Sequence, residues 1–148
     1  MRIVLVHPLI PPNTGSIGRL CAATGTPLWL VAPLGFSLED RYLKRAGLDY
    51  WPWIDLHVTE DLSEALDVPG RPWLFTTRTE RSFFDVTYAE GDALVFGTET
   101  TGLADAVLDA WPEHHVRIPM DNPKIRSINL AQCAAVALYE ARRQIGRQ

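Results

Sequence analysis

Three short stretches hold the residues whose types could do chemistry. In the first, Pro11-Pro12-Asn13-Thr14-Gly15 runs into a segment that carries Arg19. Asn13 or Thr14 makes a good helix N-cap. Arg19 stands between Ile17, Leu20 and Cys21, so its guanidinium either snorkels to water or is buried against an anion. In the second, Phe96-Gly97-Thr98-Glu99-Thr100-Thr101-Gly102-Leu103, two glycines flank a carboxylate. Glycines let a backbone approach a ligand closely. The spacing matches neither the dinucleotide fingerprint GxGxxG nor a Walker loop, which needs a Lys after its second Gly. The plain alternative is an ordinary turn with Glu99 exposed. In the third, Ile118-Pro119-Met120 leads through a polar loop to Arg126-Ser127-Ile128-Asn129-Leu130, where Ser127 could cap a helix. The chemistry on offer is ligand binding by loops, with a carboxylate and a guanidinium at hand. Metal chemistry is not indicated. Cys21 and Cys133 sit in apolar helical patterns and read as reduced, buried thiols, and the adjacent His114 and His115 have no ligand spacing.

These stretches need elements to position them. Residues 2–6, 28–32, 54–58, 73–77, 93–97 and 116–119 are short apolar runs that read as strands. Helical spacing predicts helices over 14–24, 39–46, 61–66, 101–110 and 127–145, with Gly25, Gly47 and Gly146 as stops. Residues 78–88 read as polar and irregular. Strand and helix alternate, and the strands are nearly continuous in Val, Leu and Ile. That pattern predicts an α/β fold with a parallel sheet buried on both faces. Ligands of such sheets sit beyond the carboxyl ends of the strands, where the three stretches fall. The last predicted helix is apolar nearly all round from Leu130 to Tyr139, with small residues at Ala131, Ala134, Ala135 and Ala137. A helix buried on all sides in so small a domain calls for a second subunit, so a homodimer is expected.

Composition narrows the class. The chain has 148 residues, of which 47% are hydrophobic and 22% charged, with a net charge of −4. One domain spanning 1–148 is expected. No apolar run reaches membrane-spanning length, and the start lacks the pattern of a secretion signal, so a cytoplasmic protein is expected. The acidic balance argues against a mainly electrostatic nucleic-acid binder. Its distribution tempers this: residues 49–67 hold six acids and no Lys or Arg, while the basic residues cluster elsewhere, and twelve of the fourteen are Arg. Arg grips phosphate bidentately and stacks on bases.

Taken together, Pro12-Asn13-Thr14-Gly15 with Arg19, FGTETTGL at 96–103, and IPM with RSINL between 118 and 130 resemble the three signature motifs of the SPOUT RNA methyltransferases. Within that superfamily the chain is similar to the TrmH-like ribose 2′-O-methyltransferases, above all to the TrmL branch, which acts on cytidine or uridine at the tRNA wobble position. The resemblance covers essentially the whole chain. It implies a parallel sheet flanked by helices whose C-terminal third is threaded into a deep trefoil knot, against the general rule. It implies S-adenosyl-L-methionine in the knot loops and a homodimer that sets one subunit's first motif beside the other's cofactor. Position by position, it implies cofactor contacts at Phe75, Thr76, Thr77, Gly97, Glu99, Gly102, Ile118, Met120, Ser127 and Leu130. The catalytic set it implies is Asn13, Arg19, Glu99, Ser127 and Asn129, with no metal.

The implied reaction moves the sulfonium methyl to a ribose 2′-hydroxyl. Arg19 would stabilise the developing alkoxide electrostatically, since a guanidinium is a poor base. With tRNA as partner, the RNA-binding candidates are Arg41, Lys44 and Arg45, then Arg78 and Arg81, then Lys124 and Arg126. Alternatives are the same chemistry at another tRNA or rRNA site, a non-catalytic cofactor-binding dimer, and, from the α/β alternation alone, a flavodoxin-like nucleotide binder. The chain departs from the family pattern at Ala104, where Pro is usual, and at Ala131-Gln132, where Ser-Asn is usual. The 121–125 loop varies among relatives.

Overall fold

Along the first strand, β1 (Arg2–Val6), Ile3 and Leu5 point to one side and Val4 and Val6 to the other. All four are buried, so both faces of the sheet must be covered. The computed structural model describes residues 1–39 and 50–146. Among them β2 (Leu28–Val31), β3 (Leu56–Thr59), β4 (Pro72–Phe75), β5 (Ala93–Phe96) and β6 (His115–Val116) join β1 in one six-stranded sheet. Every pairing is parallel, as the apolar runs predict, and the order is β3-β2-β1-β5-β4-β6. One face is covered by α1 (Pro11–Thr24) and α4 (Leu130–Gln144), which bring Ile17, Cys21, Ala134, Ala137, Leu138 and Ala141 against Ile3, Leu5, Leu28, Leu30 and Leu94. The other is covered by α2 (Leu62–Leu66) and α3 (Asp105–Ala110), through Ala65, Leu66 and Leu108 against Val4, Val31, Leu74 and Val95. No helix among the described residues is long and apolar enough to cross a membrane.

From β1 the chain winds outward to β2 and β3. It then crosses to β4 and returns to lay β5 beside β1. The loops leaving β1 and β5 therefore part in opposite directions, and this switch point opens a crevice above the carboxyl ends of the strands. At the opposite end Asp92, almost fully buried, accepts from the backbone N–H of Arg71 (2.8 Å) and Ala89 (2.9 Å) and from the Trp73 indole (2.9 Å). That carboxylate is fully satisfied and holds the starts of β4 and β5 together.

Several boundaries differ from the sequence reading. The first helix begins at Pro11, not Thr14. Ile10 is its N-cap and makes no side-chain cap bond, so neither Asn13 nor Thr14 caps it. The prolines occupy the first turn, where a missing N–H costs nothing. The fourth helix begins at Leu130, not Ser127. Its cap is Asn129, whose Oδ1 accepts from the N–H of Ala131 (2.9 Å) and Gln132 (3.4 Å). Within the single chain α4 buries one stripe, Ala134, Ala137, Leu138 and Ala141, while Val136 and Tyr139 are 48% and 58% exposed, on the side for which the sequence reading expects a second subunit. The third helix starts at Asp105 rather than Thr101, because residues 98–102 close into a separate turn. β6 is two residues, not four. The helix expected over 39–46 lies almost wholly outside the described residues.

Candidate active site

The 98–102 turn depends on its glycines. The N–H of Thr98 donates to the Gly102 carbonyl (3.1 Å), and the N–H of Gly102 donates back to that of Thr98 (3.0 Å). Gly102 has φ +72°, in the left-handed region, and a Cβ on Gly97 would stand 2.1 Å from the Gly102 carbonyl carbon. So closed, the turn forms one wall of a cavity of about 440 Å³. The loop after β4 gives a second wall through Phe75, Thr76 and Thr77. The segment after β6 and the entry to α4 give a third, through Ile118, Met120, Ser127 and Leu130. All ten residues expected at the cofactor therefore line one cavity, with Gly97, Glu99 and Gly102 on the first wall.

Glu99 has a further task. Its Oε2 accepts from the N–H of Leu9 (2.8 Å), and its Oε1 accepts from the N–H of Ile10 (3.0 Å) and from Asn13 Nδ2 (3.2 Å). Asn13 Oδ1 in turn accepts from Asn129 Nδ2 (3.0 Å). A carboxylate from the β5 loop thus serves the start of α1, where no local side chain caps and where the helix dipole favours negative charge. The chain Glu99–Asn13–Asn129 ties all three motifs together. Asn13 is buried, and its amide is oriented by both neighbours.

Arg19 is set apart from the other four members of the expected catalytic set. It is exposed, does not line the cavity, and lays its guanidinium 4.5 Å from the centre of the Tyr50 ring. Of the two sequence alternatives the structure shows the first, a guanidinium that reaches water, and not one buried against an anion. It lies six residues beyond Asn13, more than a turn and a half up α1.

Of the RNA-binding candidates, Arg78 and Arg126 line the cavity mouth, and Arg78 forms an ion pair with Asp105. Arg81 donates to the Glu113 carbonyl (2.9 Å) and lies 5.3 Å from the centre of the Trp73 ring. Lys124 is exposed on the 121–129 loop. Arg41, Lys44 and Arg45 lie outside the described residues. Sequence reasoning missed Leu9 and Ile10, whose contribution is backbone N–H and leaves no mark in residue type. It also missed Cys133 as a lining residue. Burial pushes that half-buried thiol up to about 11 and the buried Cys21 up to about 12, so neither is a ready nucleophile. Among the described residues no cluster of His, Cys, Asp or Glu could hold a metal ion.

A second, shallower groove runs between α1 and α4, lined by Pro12, Asn13, Ser16, Leu20, Asn129, Ala131, Gln132 and Ala135. Asn13 and Asn129 line this groove, while Glu99, Ile128 and Leu130 next to them line the cavity.

Comparison with known proteins places this geometry. The SpoU rRNA Methylase family matches residues 1–139. The tRNA (cytidine(34)-2′-O)-methyltransferase of Methylovorus glucosotrophus (strain SIP3-4) is 52% identical over 145 residues, 96% of this chain and 94% of that protein. A solved structure described as "Structural insights into the 2-OH methylation of C/U34 on tRNA" superposes with a TM-score of 0.91 at 44% identity, covering 99% of this chain and 97% of the other. The SpoU methyltransferase AviRb of Streptomyces viridochromogenes, solved in complex with the cofactor AdoMet, superposes with a TM-score of 0.82 at 25% identity, over 97% of this chain and 60% of that one.

Proposed function

The chain belongs to the SpoU rRNA methylase family, and on that premise we propose that it methylates the ribose 2′-hydroxyl of the wobble nucleotide, cytidine or uridine 34, of tRNA. The observation that carries this reading is the convergence of three sequence-distant loops on one cavity, with the Glu99–Asn13–Asn129 chain at its edge.

S-Adenosylmethionine fits the cavity. About 440 Å³ suits a nucleoside-sized ligand. Phe75, Phe96, Ile118 and Leu130 offer apolar wall, and Thr76, Thr77 and the 98–102 turn offer polar groups to fix orientation. Bound there, the cofactor supplies an electrophilic methyl group on a sulfonium. The residues proposed to hold it are the ten expected from the sequence, all of which line the cavity, Glu99 acting mainly by shaping the wall, since both its oxygens already accept from the chain. The knot follows the same logic: the 118–130 segment and the 97–103 loop share the cavity, and we place the crossing there.

Arg19 activates the ribose. A guanidinium beside the 2′-hydroxyl favours its deprotonated form and stabilises charge on oxygen as the methyl is received. Because Arg19 stands apart from the cavity of its own chain, it acts at the cavity of a second subunit. The open α1–α4 groove with Val136 and Tyr139 is the face on which two copies meet. Arg78, Arg81, Lys124 and Arg126 take RNA phosphates, joined by Arg41, Lys44 and Arg45. The whole chain works as one cytoplasmic domain.

Incubation with labelled cofactor and total tRNA, followed by mapping of 2′-O-methylation, tests the reading. Label at position 34 supports it. Modification of the D-arm or the elbow with the anticodon loop untouched removes the wobble assignment.

A further inference from the structure

Trp53 is 77% exposed, the most exposed large hydrophobic side chain among the described residues. Its backbone is nevertheless hydrogen-bonded into a turn. Trp51–Trp53 form a single 3-10 turn in which the N–H of Trp53 donates to the Tyr50 carbonyl (2.8 Å) and the N–H of Ile54 to that of Trp51 (3.2 Å). The turn sits on α1 at Gly18, so closely that a Cβ there would come within 2.8 Å of Ile54 Cδ1 and 3.7 Å of Trp51 Cζ3. Tyr50, at the start of the same turn, carries the Arg19 guanidinium on its ring at 4.5 Å. An exposed indole on a hydrogen-bonded turn and an exposed Arg stacked on the ring that opens that turn thus belong to one small region. Arg19 has no carboxylate partner among the described residues.

We propose that the 50–53 turn is a stacking platform for an unpaired nucleobase of the RNA substrate, with Trp53 as its face and Arg19 as the adjoining cation. This rests on the reading that the chain acts on a single-stranded loop of tRNA. Splayed bases of such loops are recognised by stacking on aromatic rings and guanidinium planes. The charge around the turn selects base over backbone. Asp55 stands two residues after Trp53 and pairs with His57 (2.9 Å), and Glu60 and Asp61 lie further on, so the stretch that follows the turn disfavours phosphate. Stacking does not need a basic surface, and Arg19 holds the one phosphate or ribose that must come near. The same contact fixes the nucleotide beside the group proposed to activate the ribose.

The test uses the full chain with Trp53→Ala, Trp53→Phe and Trp53→Leu, and a fluorescent anticodon stem-loop RNA. Trp53→Ala is expected to weaken RNA binding about tenfold, Trp53→Phe to recover to within about threefold, and Trp53→Leu to remain weak. Melting temperature and calorimetric affinity for S-adenosylmethionine stay at wild-type values. The salt slope of binding also stays, because no phosphate contact is lost. Three results overturn the platform: Trp53→Ala binding RNA like wild type, Trp53→Leu recovering as well as Phe, or Trp53→Ala dissociating the protein in sedimentation, which would make the turn a contact between copies. Wild-type transfer of methyl to tRNA, measured alongside, separates the two failures. No transfer sinks the underlying reading; transfer with an indifferent Trp53 sinks the platform alone.

Discussion

Asn13, Glu99 and Asn129 work as one unit, because each fixes the hydrogen-bond direction of the next. A carboxylate that accepts two main-chain N–H groups and an amide makes charge-assisted bonds, each stronger than a neutral one. Glu99→Gln turns one acceptor oxygen into a donor facing donors. We expect it to cost about 2 kcal/mol of stability, read in a denaturant melt, and to slow single-turnover methyl transfer. A variant that melts and turns over like wild type would remove the clasp from the account. Arg19 is the opposite case, an exposed residue with no structural load beyond its stack on Tyr50. Arg19→Ala is expected to abolish methyl transfer while calorimetric affinity for the cofactor stays within about threefold, and Arg19→Lys to remain poor because ammonium lacks the planar fork. Near-wild-type turnover in Arg19→Ala would exclude it from the chemistry.

At the scale of elements, the site is made by what ends each strand. β5 ends in a turn that only Gly97 and Gly102 permit, and that turn delays α3 until Asp105. Ala104, where relatives usually have Pro, has φ −65°, the angle at which a proline ring is locked, so this departure leaves the backbone path alone. Ala131 and Gln132, the other departure, lie in the first turn of α4 and offer their N–H groups to Asn129, a role independent of side chain. Gly97→Ala should be severe: its methyl would enter the Gly102 carbonyl, forcing the turn off the sheet. The expected loss is about 3 kcal/mol of stability, together with loss of calorimetric cofactor binding. Unchanged cofactor affinity would mean that the turn does not shape the cavity.

For the whole molecule, the α1–α4 face is an open surface among the described residues. Ala135 lines its groove, and Val136 and Tyr139 on the same helix are exposed. The small residues that the sequence offers there suit close approach of a second copy. Ala135→Glu would bury an unpaired charge in such an interface, at a cost of several kcal/mol, about 3 or more. Sedimentation should then show monomers that bind cofactor yet transfer no methyl, because the cavity is intact but Arg19 of the other subunit is gone. A wild-type protein that is a stable, active monomer would overturn both the dimer and the placement of Arg19.

The sequence by itself determined the sheet, the order of its elements and the loops that hold the site. Alternating buried residues such as Ile3 and Val4 need two covered faces, and apolar periodicity is a local property that each segment carries alone. Gly25 likewise announces a helix end, and Asp61 or Thr59 a helix start, through their own chemistry, and the structure uses Gly25 and Asp61 that way. Tertiary structure decided what lies between distant segments. Asn13 meets Glu99 across 86 residues and Asn129 across 116, and no pattern in either neighbourhood encodes the partner. It was tertiary contact that moved the cap of α1 from a local side chain to Glu99. It also set Arg19 on Tyr50, away from the cavity. Local propensity fixes which residues can serve; only the packing of the strands, by bringing the β1 and β5 loops together at the switch point, fixes which of them meet.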